Sequence, residues 1–258
     1  MLHEPSGQSL LLESERAGWS QHGWLRPHFE GQKRGSFCAL ASCAVVLNAL
    51  RSASPPTSSP PPPTGCSQDA DPAKKKRRRS GDGDGNGDDD DHTGNYDGEE
   101  ATRTEQRRPP ERVVTQDDLF SKIVMKHLHK RERDMHKGLH LKQVARLFEL
   151  AGATVTLRCS EDPLEVSQWL KDDIAAVLSS RTQCVVVNLW REFENHRGGH
   201  VSPLAAYHPQ RQMVLLLDVA SHRTTPHWLS VHDLVPSLCR VDSWSGRARG
   251  RAFHPHNN

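Results

Sequence analysis

Tyrosine is nearly missing from this 258-residue chain, with 2 residues, and aromatic residues make up only 5% of it. Apolar residues reach 34% and the mean hydropathy is −0.72, too little apolar material for one core running the whole length. No apolar run approaches the roughly 18 residues that a membrane span needs. The N-terminus, Met1-Leu-His-Glu-Pro, lacks the basic-then-apolar pattern of a signal peptide, so an intracellular, cytoplasmic protein is expected. The 6 cysteines, Cys38, Cys43, Cys66, Cys159, Cys184 and Cys239, include no Cys-x-x-Cys pair. That argues against a disulfide framework or a zinc ribbon and predicts free thiols.

The apolar deficit is concentrated in one place. Residues 52–112 contain the proline run Ser54 to Pro63, the basic block Lys74 to Arg79 and the Gly/Asp tract Gly81 to Asp91, and they lack Val, Ile, Leu, Met, Phe and Trp. Such a stretch cannot bury a core and is predicted to be a long disordered insert. Taking its 61 residues from 258 leaves 197, enough for one domain. The predicted organisation is residues 1–51 as the first part of the domain, the insert, 113–240 as its remainder, and 241–258 as a flexible C-terminal tail.

Cys38-Ala-Leu-Ala-Ser-Cys-Ala-Val-Val-Leu-Asn-Ala-Leu50 is small and aliphatic at nearly every position, which predicts a buried helix. Gly31 and Gly35 just before it predict a tight turn, with the helix starting near Cys38. Beyond the insert, Leu119, Phe120, Ile123, Val124 and Leu128 recur at helical spacing. A further helix over Leu141 to Leu150 ends at Gly152, and another after Pro163 is predicted to bury Leu164, Trp169, Leu170, Ile174, Val177 and Leu178. The period then changes to that of strands over Thr154 to Leu157, Cys184 to Leu189, Val201 to Tyr207 and Met213 to Val219. His208-Pro-Gln-Arg-Gln212 reads as a hairpin turn between the last two. Helices first and an antiparallel sheet afterwards predict an α+β fold.

Three residues combine into candidate chemistry. Cys38 stands at a predicted helix N-terminus, where free N–H groups and the helix dipole favour a thiolate. His200 opens a strand behind Gly198-Gly199, and Asp218 closes the apolar strand Met213 to Leu217, where a carboxylate needs a partner. If those strands form a hairpin, His200 and Asp218 meet and the carboxylate fixes the imidazole toward Cys38. Gln32 could join the Cys38 N–H in receiving an oxyanion. Singly, each of these has an ordinary alternative: a core cysteine, a surface histidine, an aspartate capping a turn.

Together, Gln32 and Cys38-Ala-Leu-Ala-Ser, Gly199-His-Val-Ser-Pro203, Leu217-Asp-Val-Ala220 and Pro226-His-Trp228 closely resemble phytochelatin synthase, in order and in spacing. The resemblance implies a papain-like cysteine protease fold and a glutathione γ-glutamylcysteinyltransferase activity. It makes Cys38 the nucleophile, His200 the base, Asp218 its orienting partner and Gln32 the oxyanion-hole residue. It implies glutathione and γ-Glu-Cys oligomers as substrates and a heavy-metal ion, Cd²⁺ or Zn²⁺, as activator in the form of a glutathione thiolate. No covalently bound cofactor, specific nucleic acid or membrane is implied, the metal-binding residues are unassigned, and a homodimer is left open. Ala39 replaces the family's glycine, and Ser221 replaces an arginine near the substrate. Arg223, two positions on, is the candidate replacement and, with Gly199, the candidate substrate contact. A glutathione hydrolase is the rival reading, and a non-catalytic metal- or nucleic-acid-binding protein a third.

Other signals are set aside. Lys74 to Arg79 could direct nuclear entry, but the Asp-rich tract after it neutralises its field. Asp82-Gly-Asp-Gly-Asn-Gly87 begins like a calcium loop, yet its twelfth position is Thr93. His136/His140 and His196/His200 share i, i+4 spacing without the glutamate of a zinc-protease motif.

Overall fold

In the computed structural model of the protein, residues 1–53, 112–193 and 196–253 are described. The stretch read as a disordered insert, with Cys66, the basic block and the Gly/Asp tract, lies outside them apart from its edges. Met1–Pro55 and Glu111–Asn258 fold together as one contact unit.

The helix containing the first cysteine motif forms where the sequence places it. Helix α3 (Cys38–Ser52) buries 11 residues spread over all its faces, as a helix apolar all round must. It is preceded by α1 (Pro5–Arg16), which composition did not reveal, and α2 (His22–Leu25). The single helix expected over 117–128 is two. Helix α4 (Gln116–Leu119) starts from a capping box between Thr115 and Asp118, and Ser121, accepting from the Val124 N–H, restarts the chain as α5 (Lys122–His127). Ile123 consequently lies 72% exposed. Helix α6 (Leu141–Leu150) ends as expected, with Gly152 at a φ of 88° and the Ala153 N–H returning to the Phe148 carbonyl. Helix α7 (Pro163–Leu178) buries the expected residues except Leu164, which is 81% exposed because two residues carry it more than half a turn from Val166.

Strands β1 (Thr156–Arg158), β2 (Val185–Phe193), β3 (His196–His208), β4 (Met213–Leu216), β5 (His227–Ser230) and β8 (Gly250–Phe253) form one antiparallel sheet in the order β1-β8-β2-β3-β4-β5. One apolar cluster joins α3 and α6 to Val186, Val201 and Leu215, and a second joins α7 and α8 (Val231–Cys239) to Val185, Val187 and Leu216. The sheet is thus covered by helices on both faces, and the mixed α+β layout stands.

The predicted tail is a correction. After α8 the chain makes the short hairpin β6 (Val241–Asp242) and β7 (Arg247–Ala248), then enters the sheet as β8 between β1 and β2. The alternating arginines of Arg247-Ala-Arg249-Gly-Arg251 resemble a solvated run only while their partners are unknown. Arg251 is fully buried against Asp173 of α7 and lies over the Trp169 ring at 5.0 Å. Burial, with Arg158 nearby, pushes the Arg251 pKa down to about 9.

Candidate active site

Cys38 is the first residue of α3, where the helix has no internal acceptor for the leading N–H groups. The Ser42 hydroxyl, one turn on, donates to the Val201 carbonyl of β3 at 2.9 Å and ties that end of the helix beside His200. Strand β3 continues through the turn after His208 into β4, and the Leu217 N–H bonds to the Pro203 carbonyl. This hairpin brings Asp218 to His200: Nε2 lies 2.8 Å from the carboxylate Oδ1, which also accepts the Ala220 N–H at 2.8 Å. Ser202 Oγ lies 2.9 Å from the same ring nitrogen.

The electrostatics of this row follow from burial opposed by partners. Burial alone raises the Cys38 pKa, but its hydrogen bond to His200, the His200 charge and a backbone bond from Val201 outweigh that and hold the thiol below its ordinary value. His200 is penalised by burial, yet the bonds to Asp218 and Cys38 raise it. Asp218 is kept ionised, burial being outweighed by His200, Arg191 and the Ala220 N–H. Cys43, in the same helix, is fully buried, and burial pushes its thiol well up. Burial likewise pushes Cys184 up. Only Cys38 of the two α3 cysteines carries the signature of a reactive thiol.

The row opens on a cleft of about 530 Å³ lined by Cys38 and His200 together with Gly199, Trp190, Asp242 and Arg249, a size suited to a small molecule. Gly199, the candidate substrate contact, is among the residues lining this cleft. A Cβ there would come within 2.5 Å of the Arg249 guanidinium, so the absent side chain is what lets Arg249 approach. Arg249 donates to Asn188 Oδ1 at 2.9 Å and pairs with Asp242 at 3.2 Å. Trp190, on β2, has Arg240 at 4.3 Å and Arg249 at 5.3 Å from its ring centroid. At the mouth, Lys137 lies 4.1 Å from the Trp244 centroid.

Two candidates fall elsewhere. Arg223 is exposed and does not line the cleft; its backbone N–H turns back to the Ala220 carbonyl. Ser221 packs on Gly31, where any Cβ would meet its Oγ at 2.1 Å. Gln32 is tethered near the row, its backbone N–H bonded to the Val219 carbonyl at 2.7 Å, but its Nε2 donates to the Arg34 carbonyl and it does not line the cleft. Of the histidine pairs, His136 bonds to the Arg133 carbonyl, His140 is the N-cap of α6, and His196 and His200 share a strand. Among the described residues no group of three or more His, Cys, Asp or Glu is placed to hold a metal ion.

Asn188, Arg191, Asp242 and Arg249 escaped the reading of the sequence. The signal for the first two was there: a polar residue inside or closing an apolar strand needs a buried partner. The other two were hidden in the segment read as a tail.

Fold and site together define an α+β protein in which a thiol and an imidazole line an open cleft and a buried carboxylate is bonded to the imidazole. The family model described as phytochelatin synthase matches residues 101–251, more than half of the chain, and the chain belongs to this family. Glutathione gamma-glutamylcysteinyltransferase 3 of Lotus japonicus is 25% identical over 249 residues, which is 95% of this chain and 40% of that protein. Glutathione gamma-glutamylcysteinyltransferase 1 of Triticum aestivum is 29% identical over 250 residues, 95% of this chain and 38% of its own length. Its namesake in Arabidopsis thaliana is 29% identical over 119 residues, 44% of this chain and 23% of that protein. The chain thus spans about 40% of the length of the Lotus relative. No helix among the described residues is long and apolar enough to cross a membrane.

Proposed function

We propose that this chain is a glutathione γ-glutamylcysteinyltransferase of papain-like architecture, working through an acyl-enzyme on Cys38. The observation that carries the reading is the row Cys38, His200, Asp218 at the base of the cleft. With Nε2 engaged by Asp218, the other ring nitrogen of His200 is left to face the sulfur, so the pair is stored as thiolate and imidazolium. The thiolate attacks the Cys–Gly carbonyl carbon of glutathione. The peptide C–N bond breaks as His200 gives its proton to the departing glycine amine, and a γ-Glu-Cys thioester remains. The amine of a second glutathione, or of a growing oligomer, surrenders a proton to His200, takes the acyl group and releases the thiolate.

The rest of the cleft suits that substrate. Arg249 and Asp242 offer opposite charges side by side, complementary to the α-carboxylate and α-amine of a γ-glutamyl end. The N–H of Cys38 receives the oxyanion at the helix N-terminus. Gln32 becomes the second donor once its Nε2 leaves the Arg34 carbonyl. Heavy-metal ions enter as glutathione thiolates, part of the substrate, and soft sulfur in the product chelates them.

A second reading has its own observation. With a serine at 221 packed on Gly31 and Arg223 turned outward, the acceptor side carries no arginine from this segment. Water would then take the acyl group and release γ-Glu-Cys. Mass spectrometry of products from glutathione with Cd²⁺ separates the two, oligomers meaning transfer and free dipeptide alone meaning hydrolysis. In either case Cys38→Ser should abolish glycine release, while Cys43→Ser and Cys66→Ser retain it. Turnover persisting in Cys38→Ser would end both readings.

A further inference from the structure

A thiolate, an imidazolium and a carboxylate in one row carry a net negative charge, and here all three lie in the interior: Cys38 is 7% exposed, His200 2% and Asp218 0%. An uncompensated buried charge is costly, and a site that stores one drifts toward the neutral thiol and imidazole. Arg191, near the end of β2 and itself only 8% exposed, donates from NH1 to Asp218 Oδ2 at 3.0 Å, the carboxylate oxygen that His200 does not use. Both oxygens of Asp218 are thereby held, one by the imidazole and the Ala220 N–H, the other by the guanidinium.

We propose that Arg191 is a positioning residue for the reaction, the fourth member of a charge-alternating row in which it fixes and neutralises Asp218 so that the thiolate and imidazolium can persist together. This rests on the reading of Cys38 as nucleophile, but not on the identity of the substrate. Along Cys38, His200, Asp218 and Arg191 the charges run negative, positive, negative, positive and sum to zero. Losing the fourth leaves a buried carboxylate free to swing or to draw the imidazole proton toward itself. The other groups facing the sulfur are Arg249, from the segment before β8, and Cys43, one turn along α3 and held neutral by burial. The charged groups facing Asp218 among the described residues are His200 and Arg191.

The test reads Cys38 alkylation by iodoacetamide against pH, without glutathione, alongside steady-state glycine release. In Arg191→Gln the acid limb of alkylation should move up by about one pH unit, with kcat down about tenfold and KM little changed. Arg191→Lys, which restores the charge without the planar fork, should recover the limb and part of kcat. Added to Asp218→Asn, Arg191→Gln should cost little further, because Arg191 acts mainly through the carboxylate, its direct pull on the sulfur standing behind those of His200 and the Val201 backbone bond. A folded Arg191→Gln with an unmoved limb, or an equal loss in both backgrounds, overturns the proposal. If Arg191→Gln does not fold, the double variant and Arg191→Lys decide: a further tenfold loss in the double variant, relative to about none expected, refutes it. Wild-type alkylation behaving as described without any glycine release would defeat the glutathione reading and leave this one standing.

Discussion

At the scale of single residues, the site is governed by which groups share a buried space, and this sets the pH dependence of its thiol. The ordinary thiol value is 9.0 and Cys38 lies below it; the ordinary imidazole value is 6.5 and His200 lies above it. Cys38 is an acid with a depressed folded pKa, so its contribution to stability is full above the unfolded thiol value and is lost as pH falls through the folded one. His200 has a raised folded pKa, so its contribution is full below the unfolded value and is lost as pH rises through the folded one. Both shifts favour the ion pair over the neutral thiol and imidazole. Alkylation of Cys38 should therefore stay fast below pH 9.0, and a His200→Ala variant should raise its midpoint, since burial of the sulfur is then countered by the Val201 backbone bond and Arg191 without the imidazole. A profile in His200→Ala identical to wild type would show that His200 does not set the thiolate. Cys38, His200 and Asp218 were legible in the sequence because each has a local signature: a helix start, a histidine behind paired glycines, a carboxylate ending an apolar run, although β3 starts at His196 and places His200 inside the strand and not at its opening. Arg249 had no such mark, because its significance lies in partners from β2 and β6 that no local pattern reveals.

At the scale of elements, long one-faced or all-apolar segments were readable and context-dependent ones were not. Helices α3 and α6 announce themselves by composition and period, and the β3–β4 hairpin by its turn. Helix α1 is amphiphilic without a strong apolar stripe, and α4 and α5 are separated by Ser121, whose capping bond overrides a continuous apolar period. Strand β8 is the instructive miss, since three arginines in seven residues resemble solvated tail until Asp173, Asp242 and Asn188 are brought to meet them. Its entry depends on Gly250, at a φ of 91°, where a Cβ would stand 2.2 Å from the Arg158 carbonyl oxygen. Gly250→Ala must shift either β1 or β8, and because β8 also carries Arg251 and follows Arg249, both the sheet and the cleft suffer. The expected cost is about 3 kcal/mol or more, a fall of roughly 10 °C in Tm, with glycine release reduced alongside. A thermal melt indistinguishable from wild type would contradict the placement of β8.

At the scale of the whole molecule, the question is what the catalytic unit needs from the residues between α3 and α4. The two ends of that stretch are already joined without it. Asn48, in the last turns of α3, donates from Nδ2 to the Val114 carbonyl at 2.9 Å and accepts the Val114 N–H at 2.8 Å on Oδ1. The side-chain amide thus pairs with one backbone residue as a neighbouring strand would, and it fixes where the chain resumes. Thr115 then caps α4, and Gln116, fully buried, accepts the Lys33 N–H and donates to the Gly31 carbonyl, securing the loop before Cys38. Closing a loop costs entropy only logarithmically in its length, about 0.6 kcal/mol per doubling. Replacing residues 54–111 by a short Gly-Ser linker should therefore leave stability unchanged or slightly raised. Since Cys38, His200 and the other described cleft-lining residues lie outside that stretch, glycine release should stay within about twofold of wild type. The same replacement combined with Asn48→Ala should lower both, because the clasp and not the intervening chain sets the approach of α4 to the Cys38 loop. Loss of activity on replacement alone, with the fold intact by circular dichroism, would mean that residues 54–111 take part in the reaction and that the Cys38 row is not sufficient for it.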